Sequence, residues 1–387
     1  MNALQFPTVL MIMLCTRCTL GGAEKQYARV FEHLVSQNPE IPHRLLINRP
    51  MLNLLLGAGL LQNCPEHLIV IAPPTGRLAL LHYVWACEQA VRKSHPDVIH
   101  PLLTGVYFAL PVLLLHLHIP LLMSTYSYQF VPYRDRKILG IPIGATLKLL
   151  ALHRASAVDA LTNPIRNDLI NRGVSGKKIF VAPCSFTDVL ECNPTLKKQP
   201  WVVFLARFVD IKNPLLLAHA IPHILKSCPQ TRFFFLGEGP LQSQIDTIVQ
   251  QLDIADHVTI RFEPQPVHVL NQSSVFVSLQ TEENYPSQSL LEAMACGNAI
   301  VATDVGETWR LVDEQNGVRI PSPPTPQALA DAIVALLNDP HLSDKQRISR
   351  ERVLTEHNPE RFFEYITEVY RRAAQGPPSV RPFFDWM

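Results

Sequence analysis

Two cations stand close together after one apolar run. Arg207 directly follows the stretch 201–206, and Lys212 comes five residues later on the way into the next helical segment. At roughly 4 Å and an effective dielectric of about 20, each would contribute on the order of 4 kcal/mol to holding a phosphate oxygen, before desolvation is subtracted. Arg adds a planar fork that grips two oxygens at once, so a diphosphate is the ligand that suits the pair. The bland alternative is a solvated loop that happens to hold two charges. A second group is acidic: Glu282 and Glu283 follow the run 275–279, and Glu292 sits among Leu290, Leu291, Ala293 and Met294. A carboxylate on so apolar a helix needs a partner. Glu292 could accept two hydroxyl hydrogen bonds, as from a ribose, each worth about 1.5–3 kcal/mol because the acceptor is charged. It could equally be paired inside the fold.

Glycines and helix ends complete the candidate set. Pro286 in the first turn and Gly297 after the last bound a helix over 287–296, whose free N–H groups favour an anion. Gly237 and Gly239 follow the run 232–236, and Gly21 and Gly22 follow the first apolar run, where backbone must approach a ligand closely. There is no GxGxxG after that first run and no GxxxxGK[ST] anywhere, which argues against a dinucleotide dehydrogenase and a P-loop NTPase.

These residues need a scaffold. Short apolar runs at 8–14, 67–72, 98–101, 120–125, 157–162 and 179–182 alternate with helical periodicity, as at Ala23, Tyr27, Val30, Phe31 and Leu34, and predict a doubly wound parallel sheet. The polar stretch CNPTLKKQP at 192–200 interrupts the pattern. It then restarts with strands at 201–206, 232–236, 258–261, 275–279 and 299–303 and helices at 214–225, 240–252 and 287–296. The expectation is α/β architecture with two Rossmann-like domains, 1–195 and 200–357. A terminal segment, 358–387, begins with the helix start Asn358-Pro359 and could cross back to the first domain. In open α/β sheets ligands bind at the carboxyl ends of strands, so two facing sheets would define a cleft between the domains.

Length and composition agree. The 387 residues exceed one hydrophobic core, and 47% apolar with 17% charged residues, against a usual charged share of about 25%, excludes a disordered or nucleic-acid-coating chain. Residues 1–199 carry 19 Lys/Arg against 11 Asp/Glu and residues 200–387 carry 15 against 22, so the halves stand at +8 and −7. The basic half suits an anionic partner such as a lipid phosphate or membrane surface. Eight scattered cysteines predict a reduced, cytoplasmic setting without a disulfide framework, and the Cys15/Cys18 pair has no second pair to complete a zinc site. The start lacks the basic residues and small-residue cleavage site of a secretory signal. The apolar stretch 102–123 contains Pro111, His116, His118 and Pro120 and is expected as core rather than as a membrane span.

WVVFLARFVDIKNP, FFFLGEGP and TEENYPSQSLLEAMACGNAIVATDVGET, in that order, resemble the nucleotide-sugar domain of the family 4 retaining glycosyltransferases of GT-B architecture. The likeness is strong over about residues 200–340, and GGAEKQYAR and LTNPIRNDLINRGVSGKKIFVAP extend it into the first half. It implies a hexosyltransferase that moves a sugar from a nucleoside-diphosphate donor to a glycan or lipid-linked acceptor. Arg207 and Lys212 would bind the donor diphosphate, Glu292 the ribose and Glu283 the sugar hydroxyls near the reacting carbon, while Gly22 would lie beneath the phosphates and Gly237 beside the donor. Retention would come from attack on the leaving group's own face, the diphosphate oxygen taking the acceptor's proton.

The chain departs from the family pattern in two places. Eight residues separate Glu283 from Glu292, one more than the family's usual spacing, so Glu282, Glu283 and Asn284 all compete for the sugar-facing role. Where many members carry a histidine in the first domain this chain reads MSTYSYQF, which leaves Tyr126 or Ser127 to line the acceptor side. No Asp-any-Asp occurs, so no metal cofactor is expected and the two cations would neutralise the leaving group. Two rival readings stay open: a catalytically silent nucleotide-sugar-binding protein, and a nucleotide-sugar epimerase of the same fold. In the first half, Arg134, Arg136, Lys137, Lys148 and Arg154 interleave with Ile138, Leu139, Ile141, Leu147, Leu149 and Leu150, as in a segment that lies on a membrane surface. The expected result is sedimentation of the protein with anionic liposomes at low salt. Recovery in the supernatant alone would remove that peripheral location.

Overall fold

The computed structural model describes residues 6–14, 20–62, 64–73, 79–102, 112, 114–125, 137–138, 141–187, 192–193, 195–283 and 285–376. Contacts divide the chain into two compact units: Met1–Pro183 with Glu360–Met387, and Cys184–Pro359.

In the first unit, β1 (Val9–Met13), β2 (Arg44–Asn48), β3 (Leu68–Ile71) and β4 (Val98–Pro101) pair in parallel in the order β3-β2-β1-β4. β5 (Leu122–Thr125) begins a second parallel group and is followed by a small antiparallel hairpin, β6 (Lys137–Ile138) with β7 (Ile141–Pro142). β8 (Ala157–Ala160) and β9 (Ile179–Val181) complete the order β5-β8-β9, and a parallel bridge between Ile99 and Leu121 joins the two groups. All five residues of β1 are buried, as a strand covered on both faces requires.

The Pro359–Gln375 helix belongs to this unit from Glu360 onward. Phe362, Ile366, Val369, Tyr370 and Ala373 recur at helical spacing and are all buried. Its tyrosines enter a buried polar network. Tyr365 donates to Asp159 Oδ1 at 2.7 Å and Ser124 donates to Asp159 Oδ2 at 2.8 Å. His100 Nε2 lies 2.8 Å from Ser124 Oγ, and its Nδ1 lies 2.8 Å from the Tyr370 hydroxyl. Because the one Ser124 proton goes to Asp159, His100 must donate from Nε2, which leaves Nδ1 to accept from Tyr370. Burial pushes His100 down to about 3, so the ring is neutral. The network fastens the last helix to β4, β5 and β8.

In the second unit, β10 (Gln199–Leu205), β11 (Arg232–Leu236), β12 (Val258–Arg261), β13 (Ser273–Ser278), β14 (Ala299–Thr303) and β15 (Gly317–Ile320) form one parallel sheet ordered β12-β11-β10-β13-β14-β15. Alternation along the strands builds two cores. Val202, Phe204, Val275, Val277 and Val301 face the Pro214–Ser227 and Pro326–Leu337 helices. Val203, Phe276, Ile300 and Ala302 face the Gln288–Ala295 and Leu342–Glu356 helices.

The expected strands at 98–101, 232–236, 258–261 and 299–303 have the observed bounds. β2 (RLLIN) and β15 (GVRI) escaped the sequence reading, since neither offers more than three consecutive apolar residues. The basic segment behaves differently from the expectation. Lys148, on the Ile143–Arg154 helix, is buried and its ammonium is pushed down to about 8 by that burial, so it does not contribute to an exposed basic face. Arg134 and Arg136 lie outside the described residues, as do Cys15 and Cys18. Among the described residues no helix is long and apolar enough to cross a membrane.

Tyr370→Phe removes the donor to a buried imidazole nitrogen and should lower the unfolding free energy by about 1–3 kcal/mol. Urea denaturation checks this, and an unchanged midpoint would show that the network carries no stability.

Candidate functional site

The carboxyl ends of the central strands in the second unit gather most of the chemistry. Arg207 follows β10 and is exposed, whereas the next residue, Phe208, is fully buried. That anchor fixes the loop: the Phe208 N–H donates to the Glu238 carbonyl at 2.9 Å, and the Leu241 N–H donates to the Phe208 carbonyl at 3.1 Å. Gly237 sits between these strands at φ +151°, where a Cβ would fall 2.1 Å from the Ala206 carbonyl oxygen. The missing side chain is therefore demanded by the approach of two backbones, independently of any ligand.

Lys212 ends a short 3-10 turn, Asp210–Lys212, which Asn213 closes in the left-handed conformation before Pro214 opens the next helix. Its Nζ donates to Gln280 Oε1 at 3.1 Å. Burial, and then the charge of Arg207, push the Lys212 ammonium down to about 8. Two like charges thus share one strand edge, and among the described residues neither has a carboxylate partner.

Glu283 lies beyond the end of β13 and is half-buried. Its Oε1 accepts the Glu307 N–H at 2.9 Å, and Gly306, at φ +53°, leaves the space its carboxylate fills: a Cβ there would fall 1.8 Å from Oε2. Burial raises the Glu283 carboxyl, the bond from Glu307 opposes the rise, and the Glu307 charge adds to it. Glu307 itself pairs with Arg310 at 3.0 Å, and the Arg310 guanidinium lies 4.8 Å from the centre of the Tyr285 ring. Asn284, the third contender for the sugar-facing role, is outside the described residues, while Glu282 is exposed.

Glu292 lies on the Gln288–Ala295 helix, half-buried and engaged with other groups. Ser287 is the N-cap, so Pro286 precedes the helix instead of occupying its first turn, as the sequence had suggested. Gly22 belongs to the first unit, where it opens the Gly22–Gln37 helix; the Gly21 N–H before it donates to Glu24 Oε2 at 3.1 Å. Tyr126 and Ser127 fall outside the described residues. Arg207, Lys212, Gly237, Glu283 and Glu292 all lie in the second unit.

Sequence reasoning missed the polar lining beneath this edge. A small cavity is bordered by Ser278, Gln280, Tyr285, Ser287, Thr303 and Thr308, and the buried Thr303 hydroxyl has no hydrogen-bond partner among the described residues. The available signal was Gln280 itself, an amide at the carboxyl end of a buried strand that neighbours the strand leading to the cations.

Residues 191–352 match the family model described as "Glycosyl transferases group 1". Among curated relatives, the chain is 27% identical over 175 residues to the GalNAc-alpha-(1->4)-GalNAc-alpha-(1->3)-diNAcBac-PP-undecaprenol alpha-1,4-N-acetyl-D-galactosaminyltransferase of Campylobacter jejuni, covering 44% of this chain and 45% of that one. It is 21% identical over 248 residues to the alpha-D-kanosaminyltransferase of Streptomyces kanamyceticus, covering 59% and 64%. The match therefore spans less than two thirds of either relative. Among solved structures, Anabaena Alr3699/HepE in complex with UDP and glucose aligns with a TM-score of 0.71 at 16% identity, covering 94% of this chain and 99% of that one. The fold is α/β of the GT-B type, with two Rossmann-like units, and the group 1 glycosyl transferase signature falls on the second.

Gly237→Ala forces a Cβ into the Ala206 carbonyl and should cost about 2–4 kcal/mol of stability while displacing the Arg207 loop. Thermal unfolding at the wild-type temperature would show the backbones able to part, against this geometry.

Proposed function

We propose that the protein is a retaining glycosyltransferase that moves a hexosyl unit from a nucleoside-diphosphate sugar to a glycan or lipid-linked acceptor. The observation that carries this reading is the Arg207 and Lys212 pair, two cations at the carboxyl edge of a parallel sheet, where Lys212 is held by a neutral amide and, among the described residues, neither cation has a carboxylate partner. Such a pair is stabilised by an anion arriving from solution. The family match to residues 191–352 supports the reaction class, and the UDP in the Anabaena structure supports a nucleotide as the carrier.

In this reading Arg207 and Lys212 hold the diphosphate, Glu292 takes the ribose hydroxyls, and Glu283 orients the sugar. The bond between the anomeric carbon and the diphosphate oxygen breaks as charge builds on the leaving group, where the two cations stabilise it. The acceptor oxygen forms its bond on the same face and its proton passes to the departing diphosphate, so configuration is kept and no protein nucleophile takes part. The cations do the neutralising, and no metal cofactor is assigned a role.

The test is a thermal-shift panel of UDP, GDP, ADP and their sugars on wild type and Arg207→Ala. One nucleotide series should raise the melting temperature, and the substitution should remove most of the rise. Equal shifts in both proteins would withdraw Arg207 from the donor site.

A further inference from the structure

We propose that Gln280 is the positioning residue of the second unit's cation site, holding Lys212 at the strand edge through a neutral acceptor and so keeping its charge available to an anionic ligand. The inference rests on the reading that Lys212 meets the donor diphosphate.

Three contacts carry it. Lys212 Nζ donates to Gln280 Oε1 at 3.1 Å. Gln280 Nε2 donates to Ser278 Oγ at 3.2 Å, and because the ammonium can only donate, the amide oxygen must face it. The Thr281 N–H donates to the Ile211 carbonyl at 3.0 Å, tying the backbone of one loop to the turn that carries Lys212. Gln280 is buried, with 7% of its surface exposed, so its geometry is not averaged by solvent. Arg207 is the charged group acting on Lys212, and it repels.

Charge decides the choice of residue. A carboxylate at position 280 would make an ion pair with Lys212, neutralise the site and repel an incoming phosphate. An amide supplies the hydrogen bond without the charge. The ammonium then remains short of a counterion, and a diphosphate supplies one.

Two measurements test the idea on the full chain. The first needs no nucleotide: the pH dependence of Lys212 acetylation by acetic anhydride, followed by peptide mass spectrometry. Wild type should show a midpoint near pH 8. In Gln280→Glu the midpoint should rise by roughly one pH unit or more, because the ion pair favours the charged form. An unchanged midpoint overturns the proposal. The second is UDP affinity by calorimetry. Wild-type affinity should fall as pH rises through about 8, where the free ammonium loses its proton. Gln280→Glu should weaken binding at pH 7 by roughly tenfold or more. Gln280→Met, which keeps the length and removes the acceptor, should weaken it less and serves if the Glu variant does not fold. Wild-type affinity and pH profile in both variants would overturn the positioning role. Failure of wild type to bind any nucleotide, with the acetylation shift present, would instead remove the donor assignment and leave Gln280 as the residue that sets the Lys212 charge.

Discussion

The site in the second unit depends on two like charges at one sheet edge that, among the described residues, have no carboxylate partner. Arg207 and Lys212 repel, and burial of Lys212 adds to the cost. What keeps them in place is backbone: Phe208 locked to the Gly237 loop on one side, and Ile211 tied to Thr281 on the other. An arrangement of this kind is unfavourable when empty and becomes favourable when an anion arrives. Catalytic sites commonly store such electrostatic strain in advance, because donors already in place need not reorganise when charge develops.

The rest of the unit supplies the rigidity that this requires. Strict alternation along β10, β13 and β14 sends one set of side chains to each core, and the helices on the two faces clamp the sheet. Strand ends are then fixed to within the tolerance of close packing, and so are the loops that leave them. The small Gly306 lets the Glu283 carboxylate settle against the Gly306–Glu307 backbone, where a larger residue would push it away. Acid and cations thus occupy neighbouring strand ends of one sheet.

The first unit uses polar contacts for a different purpose. Its last helix comes from the far end of the chain, and the apolar stripe alone would allow it to slide. The chain of donors from Tyr370 and from Tyr365 through His100, Ser124 and Asp159 favours one registry, because each of these donors meets a matching acceptor there.

By itself the sequence determined the α/β class, the alternation of strands and helices, the identity of the cations and acids, and their order along the chain, because periodicity and residue type are local properties. WVVFLA followed by Arg207 and Lys212 announced a strand end with two charges, and the motifs there resemble those of the family 4 glycosyltransferases; the family model that matches residues 191–352 is that of group 1 glycosyl transferases. It was blind to β2 and β15, whose apolar runs are at most three residues long, and it put Lys148 in the basic face of a membrane-surface segment where folding buries it. Only tertiary structure brought Gln280 to Lys212, 68 residues apart, and Glu283 to Glu307, 24 apart. Those pairings follow from strand order and the lengths of loops at one sheet edge, and such distances in space are not written in any window of sequence.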